Sequence, residues 1–265
     1  MHPILFKIGS FEVRSYGVLL VIGVLIATWM ATKRAARYDI DPKRLWDVVV
    51  WIVIVGVLMA RVTYIAQEWD YFSEHREELF SFKFDGLTSF GGVIGGLLVA
   101  LVWCKRTKAP PLALLDTLSV PFLIGNAIGR VGCLLNGCCF GHPTTLPWAV
   151  RVEGTVGLHH PAQIYESFFG IASALILIGI ERRWRLHLGQ SIALMFVLFG
   201  LSRFAYEFWR AGTAEQVREG FASSTYLGSL PITQAQVAAL VIAAFGVVGV
   251  IVFGRRQPRV EASAA

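Results

Sequence analysis

Charge is the first thing this chain is short of. Only 16% of its 265 residues are charged, against about 25% in an ordinary soluble domain, while 55% are hydrophobic. That balance excludes a soluble globular protein and predicts a single integral membrane domain over 1–265, with little room for soluble parts. Cysteine is scarce as well, and four residues do not build a disulfide framework in such a chain. No basic stretch precedes the first apolar run and no convincing cleavage site follows it, so a signal peptide is not expected. No repeat relates the two halves, which counts against a transporter assembled from inverted repeats.

What the chain has in quantity is long apolar runs. Seven can be read, at about 15–32, 45–66, 87–104, 112–131, 163–181, 189–209 and 234–254, each of roughly the length needed to cross about 30 Å of hydrocarbon. The expected fold is therefore an all-α polytopic membrane protein of about seven transmembrane helices, with small outward-facing arm and head segments. Alternation across Ile4, Phe6, Ile8, Phe11 and Val13, broken at Gly9-Ser10, predicts a surface arm or small β-hairpin over 1–14. Residues 67–86 read as an interfacial segment with Leu79, Phe80, Phe82, Phe84 and Leu87 toward lipid, and 132–162 as an outside loop. Basic residues follow the first, third, fifth and seventh runs: Lys33, Arg34, Arg37, Lys43 and Arg44; Lys105, Arg106 and Lys108; Arg182, Arg183 and Arg185; Arg255, Arg256 and Arg259. They outnumber those on the other side about twofold, which predicts the N-terminus outside and the C-terminus inside. The net charge of +6 is mostly this bias, so no nucleic-acid partner is expected.

Three basic residues remain inside the spans, Arg61, Arg130 and Arg203, and alongside them lie Asp116, Glu166 and Glu207. Such residues usually face a bundle interior or a water-filled cavity. Arg61 and Asp116 read equally well as members of structural ion pairs. Arg203, Glu207 and Arg210 recur at helical spacing in SRFAYEFWR, so Arg203 and Glu207 share a face and can hold each other in place. Arg130 and Arg203 both fall near the outer ends of their spans, which suggests a clamp for a phosphate.

The densest stretch is Gly129–Gly141, GRVGCLLNGCCFG, with three cysteines and four glycines in thirteen residues. Glycines at that density let a backbone approach a ligand closely, and a guanidinium beside open amides suits a phosphate ester; the alternative is a snorkelling arginine at a helix end. Cys133, Cys138, Cys139, His142, His159 and His160 are of metal-ligating type, but C-x4-C-C-x2-H matches no standard zinc spacing. The cysteines read better as small packing residues, and no metal is expected. In SFGGVIGG, Gly95 and Gly96 read as helix-packing glycines, whereas Gly91 and Gly92 suit packing or a cavity wall equally.

Six motifs carry a family resemblance: RSYG at 14–17, SFGG at 89–92, the block at 129–141, HPAQIYE at 160–166, SRFAYEFWR at 202–210 and ITQAQ at 232–236. In this order, and across nearly the whole chain, they resemble the prolipoprotein diacylglyceryl transferases. The resemblance implies a multi-pass enzyme of the bacterial inner membrane. It would move the diacylglyceryl group of phosphatidylglycerol to the lipobox cysteine of a preprolipoprotein signal peptide, releasing glycerol phosphate. Its partners would be those two substrates and membrane lipid, and neither a metal nor an organic cofactor is implied. It implies Arg130 and Arg203 as phosphate-holding catalytic residues, with Tyr16 and Glu207 beside them. Gly91, Gly92, Asn136, Gly141, His160, Tyr165, Glu166 and Arg210 would form the substrate-binding set. Two positions depart from the family pattern: Phe90 stands where histidine is common, and Cys138 where an acid often follows the Asn-Gly pair.

The chemistry requires a thiolate to attack the glyceryl carbon bearing the phosphate, and a free cysteine has a pKa near 8.5. With Phe90 unable to take the proton, Tyr16, His160, Glu166 and Glu207 remain as bases. The reading preferred from sequence is base-poor: the arginines favour thiolate directly, with Tyr16 orienting the thiol or lipid. A transporter or channel for an anionic solute would use the same arginines, but would need no cysteine peptide.

Overall fold

A computed structural model of the chain describes residues 2–8, 11–78, 89–153, 155–210, 227 and 232–255. Among the described residues, two antiparallel strands, β1 (Ile4–Ile8) and β2 (Phe11–Arg14), precede eight α-helices. These are α1 (Ser15–Ala35), α2 (Pro42–Gln67), α3 (Trp69–Glu74), α4 (Ser89–Thr107), α5 (Pro111–Asn136), α6 (Ala162–Arg183), α7 (Gln190–Arg210) and α8 (Gln234–Gly254). Among the described residues, six helices are long and apolar enough to cross a membrane: α1, α2, α5, α6, α7 and α8. The remaining apolar run forms α4, 19 residues with its basic residues in the last turn. Of the interfacial segment, α3 and a single 3₁₀ turn at Arg76–Glu78 are described; Leu79, Phe80, Phe82, Phe84 and Leu87 lie outside the described residues, as do Gly9, Ser10, Arg256 and Arg259.

Polarity is distributed as in a multi-pass membrane protein. Buried positions include Thr28, Asp116, Thr117, Ser119, Gln163, Glu166, Ser173, Ser191 and Glu207, while Leu25, Leu58, Leu101, Phe168, Leu175, Val241 and Phe245 are exposed. A helix that hides its polar side chains and shows its apolar ones is solvated by lipid.

The chain forms two compact units, residues 32–114 and the rest. In the first, α2 and α4 pack through glycines. A Cβ on Gly95 would lie 2.8 Å from the Val55 carbonyl oxygen, and one on Gly91 would run into Thr63 and the Met59 carbonyl. Small residues permit such approach, so Gly91 packs against α2 as Gly95 does. Asp41 caps α2 by accepting from the Lys43 N–H at 2.9 Å, with Pro42 at the first helical position. Arg61, one of the span charges, lies with its guanidinium 5.3 Å from the Phe72 ring centroid and 5.7 Å from that of Tyr64. That is cation–π geometry.

In the second unit α5 meets three other helices. Gly23 on α1 faces Gly125, where an added Cβ would stand 3.1 Å from the carbonyl oxygen. Ser167 on α6 donates to the Ala127 carbonyl at 2.9 Å. Asp116 accepts from the Gly189 and Ile192 N–H groups at 2.6 and 2.9 Å. This carboxylate therefore stabilises the N-terminus of α7, where orphan amides and the helix dipole favour an anion. Helices α7 and α8 approach through Gly200 and Gly246, whose added Cβ atoms would meet the backbone of Ala239 and of Ala193 and Val197. The ITQAQ motif opens α8 as a capping box: Thr233 accepts from the Gln236 N–H at 3.1 Å, and Gln236 Oε1 from the Thr233 N–H at 3.0 Å. A core of Val120, Leu123, Ala174, Leu177, Ile192 and Met195 fills the space between α5, α6 and α7.

Candidate active site

Five charged residues of α5, α6 and α7 form two ion-paired groups, and one member of each group lines a shared crevice. Arg130 Nε lies 3.0 Å from Glu166 Oε2, joining α5 to α6, with the arginine side chain 28% and the glutamate 6% exposed. On α7, the fully buried Glu207 carboxylate holds Arg203 through Oε2 at 3.0 Å and Arg210 through Oε1 at 3.2 Å. The face-sharing expected from SRFAYEFWR is thus present, and Arg210 joins it. Glu166 and Arg203 line the same narrow crevice, with Asn126, Ser173 and Ser202, and the Ser173 and Ser202 hydroxyls meet at 2.8 Å.

Tyr206 was not singled out by sequence, yet it sits at the centre. It is 1% exposed, the Arg203 guanidinium lies 4.7 Å from its ring centroid, and its hydroxyl stands in the field of Glu166, Arg210, Arg203 and Arg130. Among the described residues that hydroxyl, Arg203 Nη1 and both Glu166 oxygens have no in-line hydrogen-bond partner. The two ion pairs are thus close electrostatic contacts with bonding capacity to spare, and buried groups of this kind are costly unless something satisfies them. The sequence signal for Tyr206 is a polar aromatic one residue before an intramembrane glutamate.

Tyr16 opens α1 against Gly132, where an added Cβ would touch its ring at 3.3 Å, within the field of Arg130 and of Cys133, Cys138 and Cys139. Asn136 ends α5 and donates from Nδ2 to Cys138 Sγ at 3.7 Å. The chain then turns on Gly137, with φ 75°. The Gly137 N–H bonds the Leu134 carbonyl and the Cys138 N–H the Cys133 carbonyl, each at 3.1 Å, which is a Schellman closure. Cys139 adopts φ 62°. The result is that Cys133, Cys138 and Cys139 bring their sulfurs within 4.8 Å of one another. Hydrogen bonding to Cys133, Cys139 and Asn136, with Arg130 adding its charge, pulls the Cys138 thiol below the usual range.

Beyond the cysteines, the loop is strapped to the ends of α6 and α7. The Gly141 N–H reaches the His160 carbonyl at 2.9 Å, and the His142 N–H reaches the Trp209 carbonyl at 3.1 Å. A Cβ on Gly141 would collide with the Trp209 carbonyl and lie 2.8 Å from His160 Cβ. Gly141→Ala should therefore cost about 1–3 kcal/mol, seen as a lowered melting temperature; an unchanged one would show that the strap yields freely. His160 does not cap α6 with its ring. Its Nδ1 meets the Tyr165 hydroxyl at 3.1 Å, and that hydroxyl accepts from Trp148 Nε1 at 2.7 Å. Burial, reinforced by His142, lowers the His160 pKa and favours neutral imidazole. His159 is buried, with Nδ1 3.0 Å from the Gly141 carbonyl. Gln163, also absent from the sequence reading of the site, donates to the Cys138 carbonyl at 2.6 Å.

A sequence model of the prolipoprotein diacylglyceryl transferases matches residues 3–252. The chain belongs to the prolipoprotein diacylglyceryl transferase family. Among curated relatives, a phosphatidylglycerol–prolipoprotein diacylglyceryl transferase of Gloeobacter violaceus is 31% identical over 270 residues, covering 98% of this chain and 96% of its own. Those of Clostridioides difficile and Finegoldia magna are 31% and 30% identical, covering 95% and 92% of this chain and 94% and 93% of their own. In this transferase-family chain the structure brings together Arg130, Glu166, Arg203, Glu207 and Arg210, with Tyr16 beside Arg130. Asn136 at the end of α5, Gly141 and His160 in the following loop, and Tyr165 in the first turn of α6 adjoin this group. Gly91 and Gly92 belong to the other compact unit, and the Phe90 side chain lies outside the described residues.

Proposed function

We propose that this chain transfers the diacylglyceryl group of phosphatidylglycerol to the lipobox cysteine thiol of a preprolipoprotein, releasing glycerol phosphate. The setting is the outer face of the bacterial inner membrane, with seven spans, the N-terminus outside and the C-terminus inside. Family membership supports the reaction, and the basic residues following alternate runs support the orientation.

The observation that carries the mechanism is the way Arg130 is held. Glu166 engages its Nε, which leaves the two terminal amino groups to form a bidentate clamp on a phosphate. Arg203, positioned by Glu207, supplies a second cation at the crevice wall. As the thiolate sulfur bonds to the glyceryl carbon, the carbon–oxygen bond breaks and negative charge collects on the leaving phosphate. Fixed guanidiniums in a site of low dielectric are most effective against that developing charge. The Tyr206 hydroxyl can donate to the same phosphate, while Tyr16, Asn136 and the Gly141–Tyr165 strap shape the side from which the peptide approaches. An anionic-solute transporter would also employ the arginines, but membership of a transferase family favours group transfer.

Purified protein given phosphatidylglycerol and a lipobox peptide should release glycerol phosphate, and a Cys→Ser peptide should abolish that release. Release that ignores the peptide thiol would reject the transfer reading.

A further inference from the structure

The three-cysteine turn is not accounted for by the phosphate clamp. The linear spacing C-x4-C-C argues against a standard zinc motif, but the fold removes that objection. The Schellman closure at Gly137 carries Cys138 back over Cys133 with an N–H to carbonyl bond of 3.1 Å, and the left-handed Cys139 returns its own side chain to the same place. All three sulfurs lie within 4.8 Å of one another, Cys133 buried and the other two half-buried. A zinc–sulfur bond of about 2.3 Å places tetrahedral ligands about 3.8 Å apart, so little adjustment is needed. Two adjacent groups suit the charge of such a centre: Asn136 donates to Cys138 Sγ at 3.7 Å, and Arg130 lies within the field of Cys133 and Cys139. A hydrogen bond from an outer residue to a coordinating atom is the usual support of a metal site.

We propose that Cys133, Cys138 and Cys139 hold one zinc ion whose fourth position binds the lipobox thiol and presents it as a thiolate beside Arg130. The proposal rests on the transfer reaction proposed above and supplies the thiolate that reaction consumes. Three protein ligands with one open position make a catalytic rather than a structural zinc arrangement, and a coordinated thiol is deprotonated outright. On binding, the substrate thiol gives its proton to solvent. Its sulfur then forms the bond to the glyceryl carbon, and the carbon–oxygen bond pair departs with glycerol phosphate toward Arg130 and Arg203. The thioether product carries no charge, is a weak ligand, and leaves the metal. Nothing is oxidised or reduced.

The test uses full-length protein in detergent with a thiol-free reductant. Zinc should be retained at one ion per chain, and cobalt in its place should show thiolate-to-metal absorption. A lipobox peptide should change that spectrum, and its Cys→Ser counterpart should not. Cys138→Ser and Cys139→Ser should each weaken metal binding, and stripping the metal should slow transfer about 100-fold, the range for losing thiol activation. Because the spectral change is read on the unaltered protein, a variant that fails to fold does not spoil the test. A protein that binds no zinc, or whose cobalt spectrum responds equally to the serine peptide, would overturn the proposal. So would a disulfide among the three sulfurs under these conditions, or full transfer activity after metal removal; that last result would leave the transfer reading standing. Conversely, a thiol-specific spectral change without glycerol phosphate release would keep the metal site and reject the transfer reaction.

Discussion

Arg130→Lys is expected to fold normally and lose about 100- to 1,000-fold in turnover, the cost of removing one preorganised donor from a developing oxyanion. Lysine keeps the positive charge and can still neutralise Glu166, which is only 6% exposed. It gives up the planar fork: a single ammonium cannot engage the carboxylate and also present two parallel donors to phosphate. Alanine would be a poorer experiment, because it would strand a buried carboxylate and confuse folding with catalysis. Turnover of the lysine variant should be read beside its melting temperature. Near-normal turnover would remove Arg130 from the phosphate clamp.

The second large effect is expected at Glu207. Its carboxylate is fully buried and is shared by Arg203 and Arg210 from one helix face. Glu207→Gln preserves the shape but leaves two guanidiniums without their common counter-charge. Breaking a buried ion pair from one side costs about 3–5 kcal/mol, so the variant should melt well below the parent protein. It should also lose activity, since Arg203 would no longer be fixed over the Tyr206 ring, 4.7 Å away. A variant that melts normally and is active would mean that the arginines are positioned by something other than this carboxylate.

How much of this was legible beforehand depends on the physics of each feature. The helices were, because lipid demands long apolar runs and tolerates polar backbone only inside regular structure. The run read at 163–181 is α6 at Ala162–Arg183, and that at 234–254 is α8 at Gln234–Gly254. Spacing also made the Arg203–Glu207 pair legible, since partners four residues apart meet on any helix. Arg130–Glu166 was not, because nothing local relates residues on different helices. Asp116 was open between an ion pair and another role; its carboxylate accepts the first N–H groups of α7, a contact between residues more than seventy positions apart. Tyr206 was hidden by its neighbours' charge, and the meeting of the three sulfurs by two left-handed residues, Gly137 and Cys139, that no linear spacing rule encodes. ITQAQ carries the family likeness, yet its Thr233 and Gln236 close a helix terminus.

The central claim is that the site cleaves the carbon–oxygen bond of the lipid, with phosphate held by the arginines and carbon passed to sulfur. Phosphatidylglycerol labelled separately in its diacylglyceryl carbons and its phosphorus tests this directly. Incubation with the protein and a lipobox peptide should place the carbon label on the peptide cysteine and the phosphorus label in water-soluble glycerol phosphate, in equal amounts. Phosphorus on the peptide, or glycerol phosphate without carbon label on the cysteine, would contradict it.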